Sequence, residues 1–217
     1  MDTIRNLKSE IRNLVIYPVI LAVPEADQHL KVRERVENLS LHARKALDIS
    51  AEKSGVVVTN LLKDEHGAPL PFDGNYWSVT HKPAYVGGVI ASKRIGIDIE
   101  KIRSCSPALF KKTASDSEWN LSNEDAFKLF FRYWTAKESV LKASSAGIRD
   151  LSKCRVAHIM DANHLLIDYQ DKTWIIEHFF FNGHIASVVK YDVNVEWTLL
   201  LCPLTNRLSV NKGRKPS

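Results

Sequence analysis

The sequence predicts an α+β protein of two similar lobes packed together, in which each lobe has a helix or helices on a small antiparallel sheet. Residues 29–55 and 122–147 carry apolar side chains at helical spacing, and a glycine stands at the end of each segment. Residues 122–147 form the strongest helical pattern, with Ser122 as its expected N-cap and Gly147 as its stop. Both halves then continue into short strand-like runs separated by turn residues.

A weak internal repeat suggests that the two lobes are related. Trp77 and His81 in the first half match Trp174 and His178 in the second half at the same separation of 97 residues. Matches this short also arise by chance, so the pattern alone leaves the duplication open. We expect the lobe boundaries to be 1–103 for the N-terminal lobe and 104–205 for the C-terminal lobe, with a disordered basic tail over 206–217.

Composition predicts a cytoplasmic protein with no membrane segment. Of the 217 residues, 45% are hydrophobic and 25% are charged, which is ordinary for a globular protein. The longest apolar runs are too short to cross a bilayer, and the charged N-terminus does not resemble a signal peptide. The three cysteines are an odd number without CxxC spacing, so we expect reduced thiols and no metal cluster. A net charge of +5 suits an acidic protein, a phosphate-rich ligand or nucleic acid, and does not choose among them.

The stretch RIGIDIEK, residues 94–101, alternates apolar and polar residues with period two. On a strand this spacing places Asp98 and Glu100 on one face and the isoleucines on the other. Such an alternation usually marks the solvent-facing side of an antiparallel strand. The alternative is a functional site, because two neighbouring carboxylates repel each other unless a cation lies between them.

The helical segment contains a second unusual acid. At 3.6 residues per turn, Glu138 falls on an apolar stripe with Phe131 and Trp134 instead of on the polar face. Lys142 follows one turn later, and a simple salt bridge from Glu138 to Lys142 is the ordinary explanation for that spacing. A carboxylate centred on an apolar stripe nevertheless needs a partner, since burying it alone is costly.

A divalent cation would account for all three acids together. Asp98, Glu100 and Glu138 could converge on Mg²⁺, which prefers oxygen ligands and completes its shell with water and substrate phosphates. The segment SVTHKP adds hydrogen-bond donors at a turn, through Thr80, His81 and Lys82, that would suit a phosphate. A lone histidine at such a place is more often a packing or hydrogen-bonding residue than a catalyst.

Two motifs give the sequence its resemblance to a known family. GIDIE at 96–100 and WTAKESVLK at 134–142 match the G-[IV]-D-[IV]-E and W-x-x-K-E-x-x-x-K motifs of 4'-phosphopantetheinyl transferases, in the same order. THK at 80–82 resembles the short SHS motif that precedes them in that family. The chain resembles the larger two-lobed class of these enzymes, the surfactin-synthetase-activating type, most convincingly over 75–148.

The resemblance implies a fold, a reaction and its partners. The implied fold is a pseudo-dimer of two α+β lobes with coenzyme A bound between them. These enzymes transfer the phosphopantetheine arm of coenzyme A to a serine of an apo acyl or peptidyl carrier protein and release 3',5'-ADP. Such carriers serve fatty acid, polyketide and nonribosomal peptide biosynthesis, and they are acidic around their serine. The implied metal is Mg²⁺ on the pyrophosphate, held by Asp98, Glu100 and Glu138. An internal duplication makes a monomer the natural expectation, and no nucleic acid or membrane partner is implied.

The resemblance also implies roles for individual residues. Glu138, or a water that it orients, would be the base for the carrier serine, Lys142 would assist the leaving group, and His81 would contact phosphate. We expect Trp134 in the core. The remaining residues share an expected role in binding coenzyme A: Arg44, Lys45, Thr80, Lys82 and Lys137. Lys137 is expected at the edge of the apolar stripe, close to phosphate or an acid.

The chain departs from the family pattern in two places. Ala68 stands where the family often has the lysine of a Gly-Lys-Pro turn that helps to hold the nucleotide end of coenzyme A. Lys82 stands where the family has a serine. Two rival functions fit parts of the pattern: a Mg²⁺-dependent nuclease, which also uses clustered carboxylates and a lysine, and a non-catalytic carrier-binding module. The module predicts a damaged acidic triad, but all three acids are present.

Overall fold

The computed structural model describes residues 15–201, and the predicted tail over 206–217 lies outside that range. The α-helices are α1 Glu25–Gln28, α2 Val32–Ser54, α3 Pro107–Thr113, α4 Asp116–Trp119 and α5 Ala126–Ala143, and a 3₁₀ helix spans Ile148–Lys153. The first strands are β1 Val15–Ile16, β2 Val19–Ala22, β3 Tyr76–His81, β4 Tyr85–Ala91 and β5 Ile97–Lys101. They are followed by β6 Arg155–Ile159, β7 His164–Tyr169, β8 Lys172–Phe181, β9 His184–Lys190, β10 Asn194–Val195 and β11 Thr198–Leu200.

The described strands form three sheets. A four-stranded sheet has the order β11-β2-β4-β3, with β11 parallel to β2 and the other pairs antiparallel. A five-stranded antiparallel sheet has the order β5-β9-β8-β7-β6. The short strands β1 and β10 pair in parallel. The α+β class predicted from the sequence is therefore confirmed.

Helix α2 packs on the four-stranded sheet. Its buried face, which includes Ala43 and Leu47, lies against strand β4. Gly88 on β4 is required for this packing, because a Cβ at that position would collide with the backbone of Leu47. The helix ends at Gly55, which has a left-handed conformation with φ 63°, as the sequence predicted.

Helix α5 packs on the five-stranded sheet and supplies the largest hydrophobic core. Tyr133 and Val140 from the helix belong to one buried cluster with Ile97, Ile167 and Val188 from the sheet, and all five are fully buried. Burial of this face, with the aromatic side chains beside it, fixes the helix against strands β5 and β9.

The ends of α5 differ from those predicted. Asp125 is the N-cap, because its Oδ1 accepts hydrogen bonds from the backbone N–H groups of Phe127 and Lys128. Ser122, the predicted cap, instead accepts a bond from the N–H of Glu124 in the preceding turn. The helix ends at Ala143, before the predicted stop, and the chain turns through Ser145 at φ 57°.

Strand β5 joins the two main sheets. It hydrogen-bonds to β9 of the five-stranded sheet, while its residues also contact β3 and β4 of the other. The backbone N–H of Ile97 donates to Ser78 Oγ on β3 at 3.2 Å, and the Ile97 and Ile99 side chains reach Gly87 on β4. The division into lobes at residue 103 stays a prediction. GIDIE lies at the start of β5, a strand of the five-stranded sheet that also packs against the four-stranded sheet.

No helix within residues 15–201 is long and apolar enough to span a membrane. Cys105 and Cys154 are free thiols. The third cysteine, Cys202, lies outside the described range.

Candidate active site

The site forms where β5 meets α5, and Gly96 makes their close approach possible. A Cβ at Gly96 would overlap the carbonyl oxygen of Ser139 on the helix, so no larger residue fits there. Asp98 and Glu100 follow on the same face of the strand at period two, while Ile97 and Ile99 are buried on the other. The alternation in GIDIE thus packs one face and directs two carboxylates toward the helix.

Asp98 is the buried centre of the site, with only 2% of its surface exposed. Its Oδ1 accepts hydrogen bonds from Thr80 Oγ1 at 3.0 Å and from Lys142 Nζ at 2.8 Å. Its Oδ2 is buried and has no hydrogen-bond partner among the described residues. A buried carboxylate oxygen without a donor is costly, which indicates that a cation or donor binds there.

Glu138 lies beside Asp98 on α5 and is half-buried. Its Oε1 is also buried without a partner in the described part of the chain. Burial and then the charge of Asp98 raise the pKa of Glu138 to about 7, against the opposing charges of Lys142 and Lys82. The acid predicted on the apolar stripe therefore stands close to Asp98, and the two carboxylates are incompletely neutralised.

Lys142 does not form the salt bridge along the helix that its spacing from Glu138 suggested. Its ammonium group donates instead to the backbone carbonyl of Ile97 at 2.9 Å and to Asp98. That ordinary explanation for the Glu138–Lys142 spacing is wrong here, because the strand provides two better-placed acceptors.

Glu100 is paired with Lys82 across the junction. Lys82 Nζ lies 2.7 Å from Glu100 Oε1, and the two side chains are 32% and 15% exposed. Burial alone would lower the pKa of Lys82, but the charge of Asp98 and the hydrogen bond to Glu100 outweigh it and raise that pKa. Lys82 is therefore a charged group at the edge of the site.

His81 ends strand β3 next to this cluster. Partial burial, together with the charges of Lys142, Lys63 and Lys82, lowers the pKa of His81, which favours its neutral imidazole. Lys63 was not identified from the sequence, since it lies in an irregular loop without a pattern that would mark it. Lys63 lines a cavity of about 240 Å³, together with Lys142 and the turn Gly67–Pro69.

The structure does not bring every predicted residue to the cluster. Lys137 is 1% exposed and faces away, donating to Glu118 Oε1 at 2.7 Å and to the carbonyl of Thr113 at 2.6 Å. Arg44 and Lys45 are exposed on α2. The residues that do come together are Thr80, His81, Lys82, Asp98, Glu100, Glu138 and Lys142.

The arrangement brings acids and lysines together at the junction of the two sheets. Within residues 15–201, no group of three or more His, Cys, Asp or Glu side chains is already arranged to hold a metal ion. The unpartnered oxygens of Asp98 and Glu138 are the hard ligands that Mg²⁺ takes. Lys142 and Lys82 lie beside these acids, and His81 and Lys63 lie near the two lysines, so that groups able to bind phosphate oxygens adjoin the acids.

A family model matches the part of the chain that contains this site. It is described as the 4'-phosphopantetheinyl transferase superfamily and matches residues 94–189. Both sequence motifs fall within the matched range, as do Asp98, Glu138 and Lys142. His81 and its neighbours precede it.

Curated relatives carry related names. A Haemophilus influenzae protein, provisionally named a 4'-phosphopantetheinyl transferase, is 29% identical over 139 residues, 58% of each chain. The 4'-phosphopantetheinyl transferase HetI of Nostoc is 39% identical over 72 residues, 30% of each chain. A 4'-phosphopantetheinyl transferase of Bacillus subtilis is 24% identical over 145 residues, 64% of this chain and 60% of the relative. The chain thus spans less than two thirds of the length of each of these relatives, and its similarity to 4'-phosphopantetheinyl transferases extends over part of the chain.

Proposed function

We propose that this protein transfers 4'-phosphopantetheine from coenzyme A to a serine of an apo carrier protein, with Mg²⁺, and releases 3',5'-ADP. The observation that carries the proposal is the pair of buried, unpartnered carboxylate oxygens on Asp98 and Glu138, with Lys142 bonded to the first of these acids. Two acids and a lysine in this setting suit the transfer of a phosphoryl group, where positioning and charge neutralisation dominate.

The residues present fit a magnesium ion. Asp98 and Glu138 would hold it through their unpartnered oxygens, and Glu100 would join them once separated from Lys82. When bound, the ion would neutralise charge on the pyrophosphate.

The protein's own side chains would perform the proton and charge transfers. The serine Oγ attacks the phosphorus that carries the pantetheine arm, and the bond from that phosphorus to the 3',5'-ADP oxygen breaks. Glu138, or a water that it orients, takes the serine proton. Lys142, fixed by the carbonyl of Ile97, neutralises charge on the departing 3',5'-ADP. Neutral His81 donates a hydrogen bond to a phosphate oxygen.

The finer assignments belong to the same proposal. The larger, surfactin-synthetase-activating class is supported by a helix on each of two sheets and by a site where the sheets meet. A monomeric pseudo-dimer, divided near residue 103, would place coenzyme A between its lobes. An acidic carrier would complement the net charge of +5. Free Cys105 and Cys154 are compatible with the cytoplasm as the working compartment.

Intact-mass spectrometry of small apo carrier proteins tests the proposal. Each carrier is incubated with this protein, coenzyme A and Mg²⁺, and we expect some carriers to gain the mass of one phosphopantetheine. The gain should disappear with EDTA and should require the carrier serine. Release of 3',5'-ADP, measured by chromatography, should match the carrier modified.

A carrier panel of acyl and peptidyl types that shows no mass gain would contradict the proposal. Incubation of the same preparation with DNA and RNA then decides between the rivals. Mg²⁺-dependent cleavage would identify a nuclease, while binding of an apo carrier without modification would identify a carrier-binding module.

A further inference from the structure

Lys82 is attached to the acidic cluster through a single side-chain contact. Its Nζ donates to Glu100 Oε1 at 2.7 Å, while its backbone N–H is held separately by the carbonyl of Tyr85. The backbone is thus fixed by the β3–β4 hairpin, but the four-carbon stem can redirect the ammonium group. With 32% of its side chain exposed, Lys82 has room to move.

Lys142 provides a contrast within the same site. It is anchored by both a carboxylate and a backbone carbonyl, at Asp98 and Ile97. A bound metal would weaken the first of these contacts and leave the second intact. Lys82 has no such backbone acceptor in the hydrogen bonds of the described residues, so only Glu100 holds its ammonium group in place.

Glu100 is consequently neutralised by a cation from within the chain. The charges of Asp98 and Glu138 also act on Lys82, so one ammonium group lies in the field of three carboxylates. No three-carboxylate metal arrangement is preformed in the described range, and the Lys82–Glu100 pair gives a physical reason. A divalent cation can engage Glu100 fully only after it displaces Lys82.

We propose that Lys82 is an exchangeable cation of the site: it competes with a divalent metal for Glu100 and moves to the phosphates of the anionic ligand when that ligand binds. Metal and ligand therefore bind cooperatively, because each favours the position of Lys82 that the other needs. The identity of the ligand as coenzyme A rests on the proposed function, whereas the competition for Glu100 does not.

A titration with Mn²⁺ in place of Mg²⁺ tests the competition directly. Electron paramagnetic resonance measures the free Mn²⁺ and therefore the fraction bound. The full chain is compared with Lys82→Met, which removes the charge and keeps the length, and with Lys82→Arg, which keeps the charge. Lys101→Met is the matched control, since Lys101 is exposed at the end of β5, the strand that carries Glu100, and its removal changes the net charge equally. We expect Lys82→Met to bind Mn²⁺ about tenfold more tightly, as expected for removing a competing unit charge in a partly screened site.

Lys82→Arg and Lys101→Met should both leave the Mn²⁺ affinity near that of the unmodified chain. Saturating coenzyme A should then tighten Mn²⁺ binding more in the unmodified chain than in Lys82→Met, because only the former has a lysine to release from Glu100. Thermal unfolding of each variant shows whether it is folded, and Lys82→Ser serves as the second uncharged variant if Lys82→Met is not.

Equal Mn²⁺ affinity for Lys82→Met and Lys101→Met would overturn the proposal, even if the protein transfers phosphopantetheine. If coenzyme A tightens Mn²⁺ binding equally in the unmodified chain and in Lys82→Met, the proposed cooperativity between metal and ligand is overturned. Tighter Mn²⁺ binding by Lys82→Met, together with an unmodified chain that modifies no carrier, would uphold the competition and refute the proposed function instead.

Discussion

Lys142 Nζ lies 2.8 Å from Asp98 Oδ1, although the two residues are 44 positions apart in the sequence. The contact ties helix α5 to strand β5 and brings the two sequence motifs into one site. It also leaves the second oxygen of Asp98, and one oxygen of Glu138, buried without a partner in the described range. Two acids and one bonded lysine give the site a residual negative charge that a divalent cation would balance.

Replacing Asp98 by Asn tests this charge balance. The variant keeps the shape of the side chain and an acceptor for Thr80, but it removes the charge that faces Lys142. We expect phosphopantetheine transfer to fall about 100-fold or more, as for the loss of a preorganised electrostatic group. Carrier modification per minute is the measurement, and Asp48→Asn on the exposed face of α2 is the matched control. Near-normal turnover of Asp98→Asn at ordinary Mg²⁺ would show that the metal assignment is wrong.

Gly96→Ala should be strongly destabilising for a steric reason. The added methyl group would overlap the backbone of α5 at Ser139, and neither the helix nor the strand can yield without losing core contacts. We expect a loss of about 3 kcal/mol or more in the free energy of unfolding, at the upper end for overpacking. Urea denaturation followed by circular dichroism measures it. Gly147→Ala is the control, because a Cβ there meets nothing within 4 Å; equal stability of the two variants would contradict the explanation.

Local patterns predicted the parts of the site that depend on one element. The period-two alternation of GIDIE placed Asp98 and Glu100 on the face opposite the buried isoleucines, and the helical spacing placed Glu138 among apolar neighbours. The same spacing could not decide whether Lys142 pairs along its helix or across to the strand, because that choice depends on how the two elements pack. Lys63 was missed for the related reason that an irregular loop has no periodicity.

Lys137 illustrates the limit of a motif match. Its place at the edge of the apolar stripe predicted either a phosphate or an acid as its neighbour. The structure shows an acid, because Lys137 is buried against Glu118 on the short helix α4. The position of Glu118 depends on the docking of that helix, where Ser115 forms a capping box with it. No repeat or spacing in the sequence links these two residues, so only the packed structure reveals the pair.

Lys137→Met should therefore affect stability more than coenzyme A binding. It leaves the Glu118 carboxylate buried without its counter-charge, and we expect a loss of about 3–5 kcal/mol in the free energy of unfolding. The double variant Lys137→Met, Glu118→Gln should recover part of that loss because no unpaired charge remains. Denaturant unfolding and coenzyme A titration are measured on the same preparations. Weaker coenzyme A binding with unchanged stability would instead support the role of Lys137 predicted from the sequence.

The stability supplied by Glu118 should depend on pH. Burial would raise its pKa, but hydrogen bonds from Lys137 and from the N–H groups of Ser115 and Val156 outweigh burial and hold the pKa below its ordinary value. A carboxyl group with a depressed pKa in the folded state stabilises the protein above its unfolded pKa and loses that contribution as pH falls. The stability difference between the unmodified chain and Glu118→Gln should thus shrink on acidification from neutral pH. A difference that stays constant down to pH about 3 would mean that the ion pair does not stabilise the fold.

Lys63 should strengthen the binding of the anionic co-substrate. Its charge acts on His81, and it lines the same cavity as Lys142, so it extends the positive surface of the site beyond the carboxylates. We expect Lys63→Met to raise the KM for coenzyme A about tenfold with little change in kcat, because an exposed charge contributes to binding in the ground state and the transition state alike. Lys112→Met, which removes an exposed lysine from α3, is the matched control.

The salt dependence of KM separates this electrostatic effect from a change in shape. The KM of the unmodified chain should rise with ionic strength, since added ions screen the attraction between Lys63 and the phosphates. Lys63→Met should show a weaker dependence because that attraction is already lost. If the KM for coenzyme A rises equally with salt in both proteins, Lys63 does not face the phosphates. A raised KM for Arg44→Met would then favour the exposed face of α2 as the site of nucleotide binding.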